Sequence, residues 1–131
     1  MSTNSPMDVL VIGAGPSALS IAAALGQEKL KVGLLSLNDP SDPWPYTYGI
    51  WGEEVDELGF ENLLKHRWSN TVSFLGKGST DKSSLDNQAT RHNRDYGLFD
   101  KNKLQEHWLN QCKDTSVNLF RGKAKKFEIN K

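Results

Sequence analysis

The run Asp8-Val-Leu-Val-Ile-Gly13-Ala-Gly15-Pro-Ser-Ala18 constrains this chain more than any other, because an apolar strand turns through two glycines directly into a helix. Met7 to Ile12 reads as a continuous apolar strand of the kind found inside parallel sheets. Ser17 to Leu25 carries Leu19, Ala22, Ala23 and Leu25 on overlapping helical faces, Gly26 supplies a helix stop, and Lys31 to Leu37 forms a second apolar strand. Strand, helix and strand within about thirty residues, with G-x-G-x-x-A at the first turn, outline a Rossmann-like βαβ unit that binds a dinucleotide. In that reading Gly13 makes the tight turn, Gly15 lets backbone approach a pyrophosphate, and Ala18 keeps the helix close to the sheet. The helix start offers free N–H groups and the positive end of its dipole, and Pro16 loses nothing at the first helical position. The expected cofactor contacts are therefore Gly13, Ala14, Gly15, Pro16, Ser17 and Ala18. The competing reading is a βαβ turn of the same shape that holds no phosphate.

An acidic residue ordinarily closes the second strand and takes the ribose hydroxyls, yet Ser36 stands there and Asp39 lies three residues on. Both are candidates for the ribose, Ser36 through a weaker neutral contact. Asp39, in Asn-Asp-Pro, is also an ordinary turn former.

With 131 residues the chain holds one modest core, and its 16 basic and 16 acidic side chains cancel, which removes any electrostatic case for nucleic acid. Cys112 is the single cysteine, so no internal disulfide forms and a reducing compartment is expected. Residues 1–7 read as a loose polar tail without the features of a secretory signal, and no apolar run approaches the roughly twenty residues that span a bilayer.

Beyond the second strand, Pro40, Pro43 and Pro45 exclude helix and central strand from a loop that carries Trp44, Tyr46 and Tyr48 and leads to Trp51. These aromatics either line a flat ring or apolar substrate or cap the core from outside. A helix is expected over Glu53–Arg67, a strand over Thr71–Leu75, and a polar surface loop over residues 76–94, alternatively an excursion between two short strands. Order resumes at Tyr96–Phe99, followed by a helix over Lys101–Cys112 capped by Asp100, with Leu104, Trp108 and Cys112 on one face. Val117–Arg121 is a third apolar strand, and Ala124–Ile129 the start of an antiparallel strand with Phe127 and Ile129 inward.

His66, His92 and His107 lie on different elements without metal-ligand spacing, so no metal site is expected. No nucleophile elbow or full Walker spacing occurs. Glu53 and Glu54 follow Gly49-Ile-Trp51-Gly directly; a carboxyl held against aromatics keeps its proton and serves as a general acid, whereas the plainer reading is that acids favour the first turn of a helix.

Three blocks together resemble the N-terminal part of lycopene cyclases, the flavin-dependent carotenoid ring-forming enzymes. The first is Asp8 to Leu19 with its Gly-Pro; the second is Trp44-Pro45 through Tyr48-Gly49-Ile50-Trp51 to Glu53-Glu54; the third joins Trp68-Ser69 with Asp95-Tyr96-Gly97 and Lys103-Leu104. Ala18 at the third glycine, Ser36 for an acid and Leu98 for an arginine depart from the family pattern. The resemblance implies an incomplete FAD/NAD(P)-binding domain over residues 8–131, FAD as cofactor, and NAD(P)H as its reductant. It implies a reaction without net redox change: an acid protonates a terminal double bond of linear lycopene, the carbocation closes a six-membered ring, and proton loss gives a β or ε end. It also implies peripheral contact with a thylakoid or plastid-type membrane from the cytoplasmic side, for which the Trp44–Trp51 segment is the candidate surface. Two other readings stand beside it: a fragment of another FAD-dependent enzyme, such as an aromatic hydroxylase or geranylgeranyl reductase, and a non-catalytic nucleotide-binding module that associates with a complementary polypeptide or with itself.

Overall fold

A computed structural model describes residues 6–74 and 89–129. Its elements run β1 (Val9–Ile12), α1 (Pro16–Gln27), β2 (Val32–Ser36), β3 (Gly49–Trp51), α2 (Gly52–Leu58), a 3-10 turn (Glu61–Leu63), β4 (Leu64–Trp68), β5 (Val72–Phe74), β6 (Ala89–Arg91), β7 (Tyr96–Phe99), α3 (Lys101–Asp114) and β8 (Asn118–Arg121). The chain divides into two units, one formed by Met1–Pro45 with Lys101–Lys131 and the other by Tyr46–Asp100. The expected tail over residues 1–7 lies outside the described residues except at its last two positions.

In the first unit, β2 runs parallel to β1 on one side and to β8 on the other. This central position explains the unbroken apolar run: Val32 and Leu34 are almost wholly buried. Helix α1 brings Leu19, Ala22, Ala23 and Gly26 into the interior, and α3 contributes Leu104 and Cys112. These small and branched side chains let the two helices pack closely.

Gly26 does not stop α1. The helix continues through Gln27, and Lys29 takes the left-handed conformation at φ +63° that turns the chain out, its N–H donating to the Gly26 carbonyl. Gly26 is instead a point of close approach, where an added Cβ would lie 2.5 Å from Thr115 Oγ1.

The second unit is an antiparallel sheet in the order β3-β7-β4, with a separate β5-β6 hairpin. The expected helix over Glu53–Arg67 is cut short at Leu58. Gly59 adopts a left-handed φ of +68°, and the N–H groups of Gly59 and Phe60 return to the carbonyls of Asp56 and Val55. Leu64–Trp68 then becomes β4, because β7 offers it a ladder of backbone partners that outweighs local helical preference. Leu75, the last residue of the expected strand, and residues 76–88 of the expected polar loop lie outside the described residues, while Ala89–Arg91 pairs with Val72–Phe74, as in the reading of an excursion between two short strands. The antiparallel strand expected over Ala124–Ile129 is absent: these residues are irregular, and Phe127 and Ile129 are exposed rather than inward. Alternation alone does not make a strand where no neighbour takes its backbone hydrogen bonds.

Candidate dinucleotide site

The turn between β1 and α1 is held from below by the Gly13 N–H, which donates to the Leu35 carbonyl at the end of β2 (2.9 Å). Gly13 has φ +128°, a conformation that side-chain-bearing residues rarely adopt. Gly15 is the N-cap of α1 and has an extended backbone; no side chain caps the helix, and no acid lies in its first turn. The dipole end is thus uncancelled, and the Ser17 and Ala18 N–H groups head the helix. A Cβ built on Gly15 meets nothing within 4 Å, so the residue faces open space where a bulky group can approach. Val11, Ile12, Gly13, Gly15, Ala18 and Ile21 border an open cleft of about 480 Å³ there. This donor set and this open cradle fit a pyrophosphate.

Ser36 closes β2 and is buried, so the strand does not run on to deliver Asp39. Asp39 sits in a tight turn in which its Oδ1 accepts from Ser41 N (2.9 Å) and Ser41 Oγ (2.6 Å). Those bonds, with the nearby Arg121 charge, hold its carboxyl below the usual value. Its turn-forming role is therefore directly visible, and any ribose contact has to coexist with it.

Trp44 is buried and part of this site. Its indole N–H donates to the Ala14 carbonyl (2.8 Å), which is the capping arrangement rather than the substrate-lining one, and which takes Trp44 off any surface facing a bilayer. The proline-rich segment is in turn tied to α3: Lys101 Nζ donates to the Trp44 carbonyl (2.7 Å), and Gln105 Nε2 to the carbonyls of Pro40 and Asp42 (both 2.8 Å). The sequence gives no local signal for the Gln105 contacts, because their partners are more than sixty residues away.

Within the second unit, Trp51 is enclosed by charge and rings. The Arg94 guanidinium lies 4.1 Å from its ring centroid, His92 and Tyr96 pack at 5.6 and 5.2 Å, and Ser73 Oγ shares a 2.8 Å hydrogen bond with His92 Nε2. Arg94 also pairs with Glu53. The Glu53 backbone N–H and that guanidinium hold its carboxyl below the ordinary range, which favours the charged form and opposes the proton-keeping expected of a general acid. Glu53 and Glu54 both lie in the first turn of α2, the plainer of the two readings. Arg67 grips Asp56 with both terminal nitrogens (2.7 and 3.0 Å) and Asp95 through Nε (3.0 Å), locking α2 to β4 and to the approach of β7. Among the described residues, no group of three or more His, Cys, Asp or Glu side chains is placed to hold a metal ion.

The family described as "Lycopene cyclase protein" matches residues 8–131. The chain belongs to the lycopene cyclase family. It is 50% identical over 117 residues to a lycopene beta cyclase of Synechococcus elongatus, covering 89% of this chain and 26% of that protein. It is 32% identical over 127 residues to the chloroplastic neoxanthin synthase of Solanum lycopersicum, covering 97% of this chain and 24% of the relative. The chain thus spans about a quarter of the length of the curated relatives it matches. Among solved structures, it is similar to PqsL of P. aeruginosa (TM-score 0.59, 14% identity, 88% of this chain and 33% of that one). It is also similar to the anhydrotetracycline hydroxylase OxyS of Streptomyces rimosus (TM-score 0.57, 24% identity, 88% of this chain and 24% of that one). A geranylgeranyl bacteriochlorophyll reductase-like protein of Thermoplasma acidophilum gives a TM-score of 0.57 at 14% identity, covering 86% of this chain and 29% of that one. These likenesses establish the Rossmann-like α/β fold. Membership of the lycopene cyclase family separates the chain from the hydroxylases and reductases that share it. The relatives are cyanobacterial and chloroplastic proteins, and among the described residues no helix is long and apolar enough to cross a membrane.

Proposed function

We propose that this chain is the flavin-binding part of a lycopene cyclase, an enzyme that converts linear lycopene to a β- or ε-ringed carotene without net redox change. The observation that carries the reading is the uncapped, acid-free start of α1 beside the open cradle at Gly15, in a chain of this family.

Gly13, Ala14, Gly15, Pro16, Ser17 and Ala18 hold the pyrophosphate of FAD, the glycines by letting backbone approach it and Ser17 and Ala18 by donating amide N–H groups. Ser36 and Asp39 stand at the ribose end, Ser36 as a neutral contact and Asp39 beyond its turn. When bound, reduced flavin supplies negative charge near the substrate cation, and NAD(P)H keeps it reduced. Glu53, paired with Arg94, orders the sheet around Trp51; of the two acids, Glu54 is the one left to be tested as a proton donor. The substrate is soluble in lipid, so the protein meets it at a membrane surface, with Tyr46 the exposed aromatic of the segment between β2 and β3.

The test is a chimera in which this chain replaces the matching segment of the Synechococcus elongatus enzyme, expressed in lycopene-accumulating cells. Formation of ringed carotene, lost on Gly15→Val, is the expected result. A soluble, flavin-loaded chimera that leaves lycopene linear would overturn the assignment.

A further inference from the structure

We infer that Trp44 is a positioning residue for the dinucleotide site: by holding the Ala14 carbonyl, its indole N–H sets the direction in which the Gly15 amide is offered to a phosphate. The inference rests on the flavin-binding reading proposed above.

Ala14 stands between two glycines, one of them at φ +128°, and Gly15 has open space around its Cβ position. A peptide plane flanked in this way has little steric reason to keep one orientation. The Ala14–Gly15 peptide is trans, so its C=O and N–H point in opposite directions, and whatever fixes the carbonyl also fixes the N–H. The group that fixes it is the Trp44 indole, 2.8 Å away and 5% exposed. Water does not readily take over a bond buried to that degree.

The indole is itself held from behind. Lys101 donates to the Trp44 carbonyl and Gln105 to those of Pro40 and Asp42, while Pro40 and Pro43 stiffen the span between them. A strap therefore runs from the first two turns of α3, through the proline segment, to the phosphate turn. It supplies in the free protein the order that the two glycines lack, so that less is lost when the ligand binds.

Trp44→Phe keeps an aromatic ring and removes the donor. FAD affinity is read by flavin fluorescence on the 131-residue chain, and the Gly15 amide and Trp44 indole resonances by nitrogen-15 NMR without ligand. Trp68→Phe, at a half-exposed ring on β4, serves as the control. The expected result is a folded W44F chain whose FAD affinity falls about tenfold, the scale of a well-placed hydrogen bond to a charged group, with the Gly15 amide shifted. In the wild type, slow exchange of the Trp44 indole proton is expected. Unchanged affinity in W44F, or an unmoved Gly15 amide, would overturn the inference. If W44F does not fold, Lys101→Met cuts the support behind the indole instead; weaker FAD binding supports the strap and unchanged binding overturns it. A wild-type chain that binds no FAD while W44F still moves the Gly15 amide would remove the flavin reading and leave the hold on the peptide standing.

Discussion

Replacing Gly26 with alanine sets two opposing effects against each other. In an exposed helix interior the change is favourable by about 1 kcal/mol, because alanine loses less backbone freedom on folding. Here the new Cβ would lie 2.5 Å from Thr115 Oγ1, 2.8 Å from Thr115 Cβ and 3.3 Å from Val117 Cγ2. Thr115 is not free to swing aside: its hydroxyl donates to the Gln111 carbonyl (2.8 Å), and its own N–H donates to the same carbonyl (3.0 Å). Displacing it costs a hydrogen bond, about 1 kcal/mol. Forcing α1 and α3 apart costs about 1–3 kcal/mol more. Overlap wins, with a net loss of about 1–3 kcal/mol after the helix gain is subtracted. At a urea m-value of about 2 kcal/mol/M, the unfolding midpoint falls by roughly 0.5–1.5 M. The assay is urea titration followed by circular dichroism. A midpoint equal to or above the wild type would refute the overlap argument. G26A/T115A should recover part of the loss, since it removes the nearest atom.

Acid should weaken the second unit. Asp56 and Glu53 have carboxyls lowered by Arg67 for the first and by its own N–H and Arg94 for the second, so their contribution is complete above the ordinary carboxylate values near pH 4. It is lost as pH falls through the lower folded values. The stability difference between the wild type and Arg67→Met should therefore shrink on acidification from pH 6 toward pH 2, measured by denaturant titration, and also shrink at high salt because these pairs are partly exposed. Cys112 is buried, its thiol is pushed up by that burial, and its Sγ faces the Leu19 carbonyl at 3.5 Å. Its reaction with Ellman's reagent at pH 8 should be at least about a hundredfold slower in the native chain than in denaturant, because it requires opening of the α1–α3 contact.

The sequence was most legible where a local pattern and the final environment agree. The β1–α1–β2 unit follows from an apolar run, two glycines and a helical face, and no distant contact has to be known in order to read it. The strand at Leu64–Trp68 was hidden because its partner, β7, lies some thirty residues on, and the Gly59 stop was outweighed by an apolar stripe that runs past it. Phe127 and Ile129 misled for the converse reason, since among the described residues no strand pairs with that segment. At the site, the glycines and the start of α1 were readable, whereas the hold of Trp44 on Ala14 and of Gln105 on the proline segment was not. Glu53 beside aromatics suggested a proton donor, but its own backbone N–H, together with Arg94 some forty residues away, favours its charged form.

Titration of the purified chain with FAD, comparing the wild type with Gly15→Val, tests the central claim most directly. Gly15 has an extended backbone that valine also adopts, and nothing lies within 4 Å of its Cβ position, so the variant should fold, losing no more than about 1 kcal/mol because valine is a poorer helix N-cap. Among the described residues its Cβ meets no atom, so the side chain obstructs the approach of a ligand. Saturable micromolar binding by the wild type, abolished in a G15V chain that remains folded, is the expected result. A folded wild-type chain without saturable binding, or a G15V chain that binds equally well, would contradict the assignment of this turn as a flavin site.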